Sequence, residues 1–428
     1  MTSRLAIDAL RDAVARLPDN RLSATRLAAL DHLQGQGTPT TAHEDWKYTD
    51  LSDVIDISNQ WLAHSAQERT PDVAADQINA LKDRIDAYWL VIANGQVDES
   101  SVAVAQAAGI SVSLLSDADV ALDFDAPLAN LNTALLRDGL RIHVEADAQP
   151  AKPIGILIVD DASSAVGVSQ ARVEIDLAER STASLIEHHV STGRSRHYAN
   201  SIVRLVLGDH ATARYVRIQE RDSGHSQTGR LNVRMGRDSS FEHSAFDFGG
   251  KLIRNDLLID LCGPGALATF TGLYIAVEGQ HIDNHTRVDH RVGPAKSIQE
   301  YRGILAGATR CVWNGKAIVH AGADGTDAEQ ANHNLLLSEQ SEIDAKPELE
   351  IYADDVKCSH GTTIGQLDES ALYYLRTRGL DRRHAQQLLT QAFAQSIVDR
   401  VSIDLLQDTL REMVAVRLSK LIEGDIGL

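Results

Sequence analysis

Among the 428 residues of this chain, Cys358 and His360 have the types and spacing best suited to metal chemistry. They fall within Ile351 to Gly365, read Ile-Tyr-Ala-Asp-Asp-Val-Lys-Cys-Ser-His-Gly-Thr-Thr-Ile-Gly, directly before the pattern changes from strand-like to helix-like. Residues two apart on an extended segment project to the same side, so a sulfur and an imidazole nitrogen could be offered to one metal or cluster. On spacing alone the plainer alternative is a small buried thiol beside an ordinary histidine. The other two cysteines, Cys262 and Cys311, are widely spaced. An odd, scattered set argues against a disulfide framework and for a reducing compartment. It also falls short of the four thiolates, usually in close pairs, that hold a conventional iron–sulfur cluster. Any metal chemistry would need His, Glu or Asp ligands, or donors from a partner.

The elements that must position this pair begin far upstream. Residues 3 to 35 predict two helices: Leu5, Ala9, Leu10, Ala13, Val14 and Leu17 form one stripe before Pro18. Ser23 can cap a second helix through Leu27, Leu30 and Leu33, ending at Gly35 and Gly37. From about Asp86 short apolar runs mix with a helical segment, Leu128 to Leu136, and the Pro150/Pro153 stretch marks a boundary. Three regions follow: 1–150, helical and mixed α/β; 151–365, strands; and 366–428, helical.

The middle region alternates with period two, as in Val173, Ile175 and Leu177 or Leu231, Val233 and Met235. Turn glycines Gly208, Gly236, Gly263, Gly293 and Gly322 recur every 27 to 30 residues, with two strand-like runs in each interval. A two-strand unit of fixed length cannot bury its own face, so it stacks on its neighbours. That favours a parallel β-helix, a solenoid, over a β-sandwich. Beyond Gly365, Asp368 and Asp381 can cap helices carrying Leu372 and Leu375, then Leu389, Phe393 and Ile397. A last helix from Asp404 carries Leu406, Leu410 and Val414. This helical region is expected to cover the end of the solenoid and shield its strand edges.

A net charge of −19 disfavours nonspecific binding to nucleic acid or an anionic membrane, both of which need a positive footprint. Asp8, Arg11 and Asp12 interrupt the first apolar residues, no apolar run could span a bilayer, and a cytoplasmic protein is expected. Gly250-Lys251 and Gly315-Lys316 lack the following Ser or Thr of a phosphate-binding loop, so nucleotide binding is not expected. Hydrolase and metalloprotease signatures are absent. His281, Asp283, His285, Arg287 and Asp289 alternate onto one face, but Arg287 would repel a cation. The outer face of a sheet explains them better than a metal site. His188, His189 and His320 read as ordinary structural or surface histidines. His333 lies one repeat before His360, so stacking could bring the two together.

The wording around the pair is more specific. Asn332-His-Asn-Leu-Leu-Leu-Ser-Glu, Asp344-Ala-Lys-Pro-Glu-Leu-Glu-Ile, Asp355-Val-Lys-Cys-Ser-His-Gly and Tyr373-Tyr-Leu-Arg-Thr-Arg-Gly closely resemble the SufD family. So do His43-Glu-Asp-Trp-Lys-Tyr-Thr and Asp283-Asn-His-Thr-Arg-Val-Asp-His. The resemblance implies a mainly β fold, a right-handed parallel β-helix with helical flanks. It implies a non-enzymatic scaffold for iron–sulfur cluster assembly that pairs with the paralogue SufB through the last strands of both solenoids. The C-terminal helices would dock the ATPase SufC. His360 and Cys358 would then donate to iron or a nascent cluster at the shared interface. Two other readings stay open: an architectural homodimer without metal chemistry, and a β-helical polysaccharide lyase or hydrolase with carboxylates along a groove.

Overall fold

Strand residues in the middle of the chain send alternate side chains to opposite faces, and register records where each set goes. The structure, a computed structural model, describes residues 4–64, 75–117, 126–163 and 165–423. From Ile154 to Gly365, successive strands enter two sheets in turn, and each pairs in parallel with the strand two further along. One line of register partners runs Thr182, Thr212, Ser240, Leu267, Lys296, Asp327 and Lys357, in steps of 30, 28, 27, 29, 31 and 30 residues. Two strands thus make one coil, and the molecule is a β-solenoid of about 8 turns.

Side chains of one parity fill the lumen. Ala183, Leu185, Ala213, Tyr215, Phe241, Phe270 and Tyr274 from one sheet meet Val203, Leu205, Ile253, Ile282 and Trp313 from the other. The turns stack as closely as the strands. A Cβ on Gly263 would lie 2.1 Å from the backbone nitrogen of Arg237 in the preceding coil, which is why glycine recurs there.

Parallel pairing also extends upstream of residue 151. Tyr88–Ala93 pairs with Ile154–Asp161, and Leu140–Val144 with Gly167–Leu177. At this end the sheets are closed by short antiparallel strands, Gln96–Val97 and Ser111–Leu114. The other end finishes in two ten-residue parallel strands, Glu342–Ile351 and Val356–Gly365, the outermost members of their sheets.

The C-terminal helices do not cover that end. Helices Arg382–Val398 and Asp404–Glu423 lie along the flank of the sheet that contains Val356–Gly365. Ala394, Ile397, Leu406, Leu410 and Val414 bury against Ile186, Ile218, Phe246, Leu273 and Ile304. These strand residues have the outward parity and are apolar, so the flank supplies a second hydrophobic surface. Asp368 and Asp381 do cap their helices, accepting from the amides of Ser370 and His384. Ser23 begins the helix Ser23–Gln36 but does not cap it; its hydroxyl donates to Asp19 Oδ1.

Candidate functional site at the open end of the solenoid

Cys358 and His360 lie on Val356–Gly365, and their register partners show where they point. Cys358 stacks over Ala328, Ser297, Ala268 and Phe241; His360 stacks over Gln330, Gln299, Phe270 and His243. Both columns are lumen-facing, with Phe241 and Phe270 fully buried. The pair therefore takes the inward direction on the one coil that has no further coil above it. His360 is exposed and Cys358 half-buried. They sit at the mouth of the lumen, about 7 Å apart along one strand.

Gln330, directly beneath His360, reaches across the lumen. With its amide oriented to satisfy both groups, it donates to the Gly315 carbonyl and accepts from the Ala317 amide, each at 3.2 Å. One coil lower, Gln299 Nε2 donates to Thr286 Oγ1 at 2.6 Å. The donor pair thus rests on a polar floor that ties the two sheets together.

The three thiols differ. Burial pushes the Cys358 thiol above its ordinary value, with nearby Asp327 adding to the shift. Cys311 is fully buried in the lumen and shifted much further by the same cause, so it is a packing residue. Cys262 is half-buried beyond the strand Leu252–Leu261. Two donors do not complete a coordination shell, and no group of three or more His, Cys, Asp or Glu side chains suited to a metal occurs among the described residues. The described residues fit iron or a cluster only with further ligands beside these two.

His333 does not join the pair. Its register partner is Thr363, and Nδ1 lies 2.8 Å from Thr363 Oγ1 on the outer face, because 333 and 330 have opposite parity. His189 lies in the lumen, 2.8 Å from Glu187 Oε1, whereas His188 faces Glu220 at 3.1 Å. The row from His281 to Asp289 is an outer face. Arg287 and Asp289 pair at 2.6 Å, and buried Asp283 binds both Arg254, at 2.7 Å, and His285, at 3.0 Å.

The block His43 to Thr49 crosses this outer face as a strap. The Trp46 ring covers the Arg254 guanidinium at 4.1 Å, and Arg254 Nη1 donates to the Asp45 carbonyl at 2.7 Å. Thr49 Oγ1 donates to Asp283 Oδ2 at 2.5 Å and lies 2.9 Å from His281 Nε2. A hydroxyl has one hydrogen, so His281 must be the donor to Thr49 and carries its proton on Nε2. Glu44 reaches the terminal strand, with Oε1 2.7 Å from Lys346 Nζ. Nothing in the sequence spacing indicated Arg254 as the anchor of Trp46.

Comparison with known proteins agrees with this architecture. Residues 158–393 match the family described as "SUF system FeS cluster assembly, SufBD core domain", and residues 8–156 match "SufBD protein N-terminal region". The iron–sulfur cluster assembly protein SufD of Escherichia coli K12 is 30% identical, over 92% of both chains. An iron–sulfur cluster assembly SufBD family protein of Synechocystis is 29% identical, over 94% of this chain and 93% of its own. The SufD of Bacillus subtilis is 26% identical over 65% of this chain. With its two-sheet coil, helical flanks and near full-length match, the chain belongs to the SufBD family of iron–sulfur cluster assembly proteins and is SufD-like.

Proposed function

We propose that this protein is a non-catalytic scaffold subunit that supplies Cys358 and His360 to iron or a nascent iron–sulfur cluster at a joint with a SufB-like subunit. The observation that carries the reading is the lumen-mouth position of the pair on an outermost strand. An unpaired strand edge extends readily into a second sheet, and a partner strand there would stand beside both donors and bring the missing ligands. A neutral imidazole can bind iron without adding negative charge, while the thiol must lose its proton to bind. ATP-driven motion is assigned to a SufC-like ATPase on the C-terminal helices. Tyr373 and Tyr374 are exposed on Glu369–Thr377 and offer an apolar contact there. The reading places the complex in the cytoplasm.

The test is His360→Ala in the complex co-expressed with its neighbours, purified anaerobically and assayed for iron and sulfide. Cluster loading should fall severalfold. Because the side chain is exposed, stability should change by no more than about 0.5 kcal/mol. Unchanged loading would remove His360 from the site.

A further inference from the structure

The strap His43–Thr49 spans four consecutive strands of one sheet, from Arg254 through Asp283 and Arg310 to Lys346. Its two ends are anchored differently. At the inner end Thr49, Asp283 and Arg254 are each at least 97% buried, and both Thr49 and Arg254 donate to the Asp283 carboxylate. At the outer end the Glu44 and Lys346 side chains are 69% and 36% exposed. The outer end rests on Glu342–Ile351, whose outward row is Glu342, Asp344, Lys346, Glu348 and Glu350, four carboxylates around one lysine. Arg310 helps at the same place: its guanidinium pairs with Asp344 at 2.8 Å and lies 5.5 Å from the Tyr48 ring. The strap is therefore fixed in the middle of the solenoid and reaches out to its terminal coil.

We infer that the strap is a brace: Glu44 on Lys346 holds Glu342–Ile351 in the register that an associating subunit reads, making the N-terminal region part of the assembly surface. The inference rests on the reading that the open end pairs with a SufB-like subunit. An edge strand has a neighbour on one side only, so it frays more readily than inner strands, and an outside contact shifts that equilibrium directly. Glu44 and Lys346 act here as positioning residues, apart from the donor pair on Val356–Gly365.

The test uses the full chain with Glu44→Gln, which leaves the Lys346–Glu348 pair at 3.2 Å in place, and Lys346→Met, which breaks both pairs. Amide hydrogen exchange in Glu342–Ile351 should rise about two- to fivefold in each single variant, the range an exposed ion pair commands, with Thr182–Thr192 to Lys296–Leu305 unchanged. The yield of complex with the co-expressed SufB-like subunit should fall in parallel. Unchanged exchange in the single variants would overturn the inference, and so would faster exchange with full complex yield. If the unaltered chain forms no complex, the reading of the open end falls and the inference with it. If it pairs equally well with and without Glu44, only the inference falls.

Discussion

Cys358 shows how one position can serve two purposes. Its column elsewhere holds Ala183, Ala213, Ala268, Ser297 and Ala328, with Phe241 the one large member, so a small inward thiol belongs there on packing grounds alone. Only the end of the column makes the sulfur reachable. With its thiol raised by burial, Cys358 should react with iodoacetamide at pH 7.5 more slowly than a free cysteine. Cys311 should not react until the chain unfolds. Mass spectrometry after timed quenching checks both, and the order Cys358 before Cys311 is the expected result. The pairing of Cys358 with His360 was legible because a two-residue spacing on a strand has one geometric meaning. The expected approach of His333 was not correct: a 27-residue separation suggests stacking, but coil lengths here vary by several residues and a shift of one reverses the side chain.

Strands and helices were legible to different extents. Period-two alternation gave the coils and the fixed interval gave their stacking, because both follow from backbone geometry. The site of helix docking was hidden, since strands such as Leu267–Ala276 carry apolar residues on both parities, with Phe270 and Tyr274 inward and Leu273 and Ile275 outward. A sequence with both faces apolar announces a covered sheet but not what covers it. The charged lumen residues were equally hard to foresee. Glu187 continues the inward row from Leu185, where its carboxylate accepts from Tyr215 Oη at 2.7 Å and sits beside His189. Arg221 and Asp160 form a fully buried pair at 2.6 Å. Leu410, with no exposed surface, holds the last helix to the flank. Leu410→Ala should cost about 2–5 kcal/mol in guanidinium unfolding, the usual penalty for such a cavity, and should leave the lumen strands intact by far-ultraviolet dichroism.

For the molecule as a whole, buried histidines set the response to acid. Burial lowers His197 to about 4, His243 to about 3 and His290 to about 4. Each is neutral when folded and gains a proton on unfolding below its ordinary value near 6.5. Their stabilising contribution is complete above that pH and declines as pH falls from about 6.5 toward 4, by up to about 1.4 kcal/mol per pH unit for each group. Urea unfolding between pH 7 and 4 should show this slope, and His243→Phe, placed between the Tyr215 and Phe241 rings, should make it shallower. The open end offers a complementary prediction. Ile364 is half exposed on the last strand, so Ile364→Lys should leave the thermal midpoint unchanged while abolishing association of the co-expressed subunits on gel filtration.

The two ends of the rod are unlike. One is closed off by a two-residue and a four-residue strand running the opposite way, while the other finishes in full-length parallel strands. Repeated end-to-end growth requires two joinable termini on every unit. A rod with only one can be lengthened once, after which both remaining tips are blunt, provided the added rod is built the same way. Were such a rod to join another through its open end, growth through that contact would stop there, without the fibres that are the standing hazard of stacked-strand proteins.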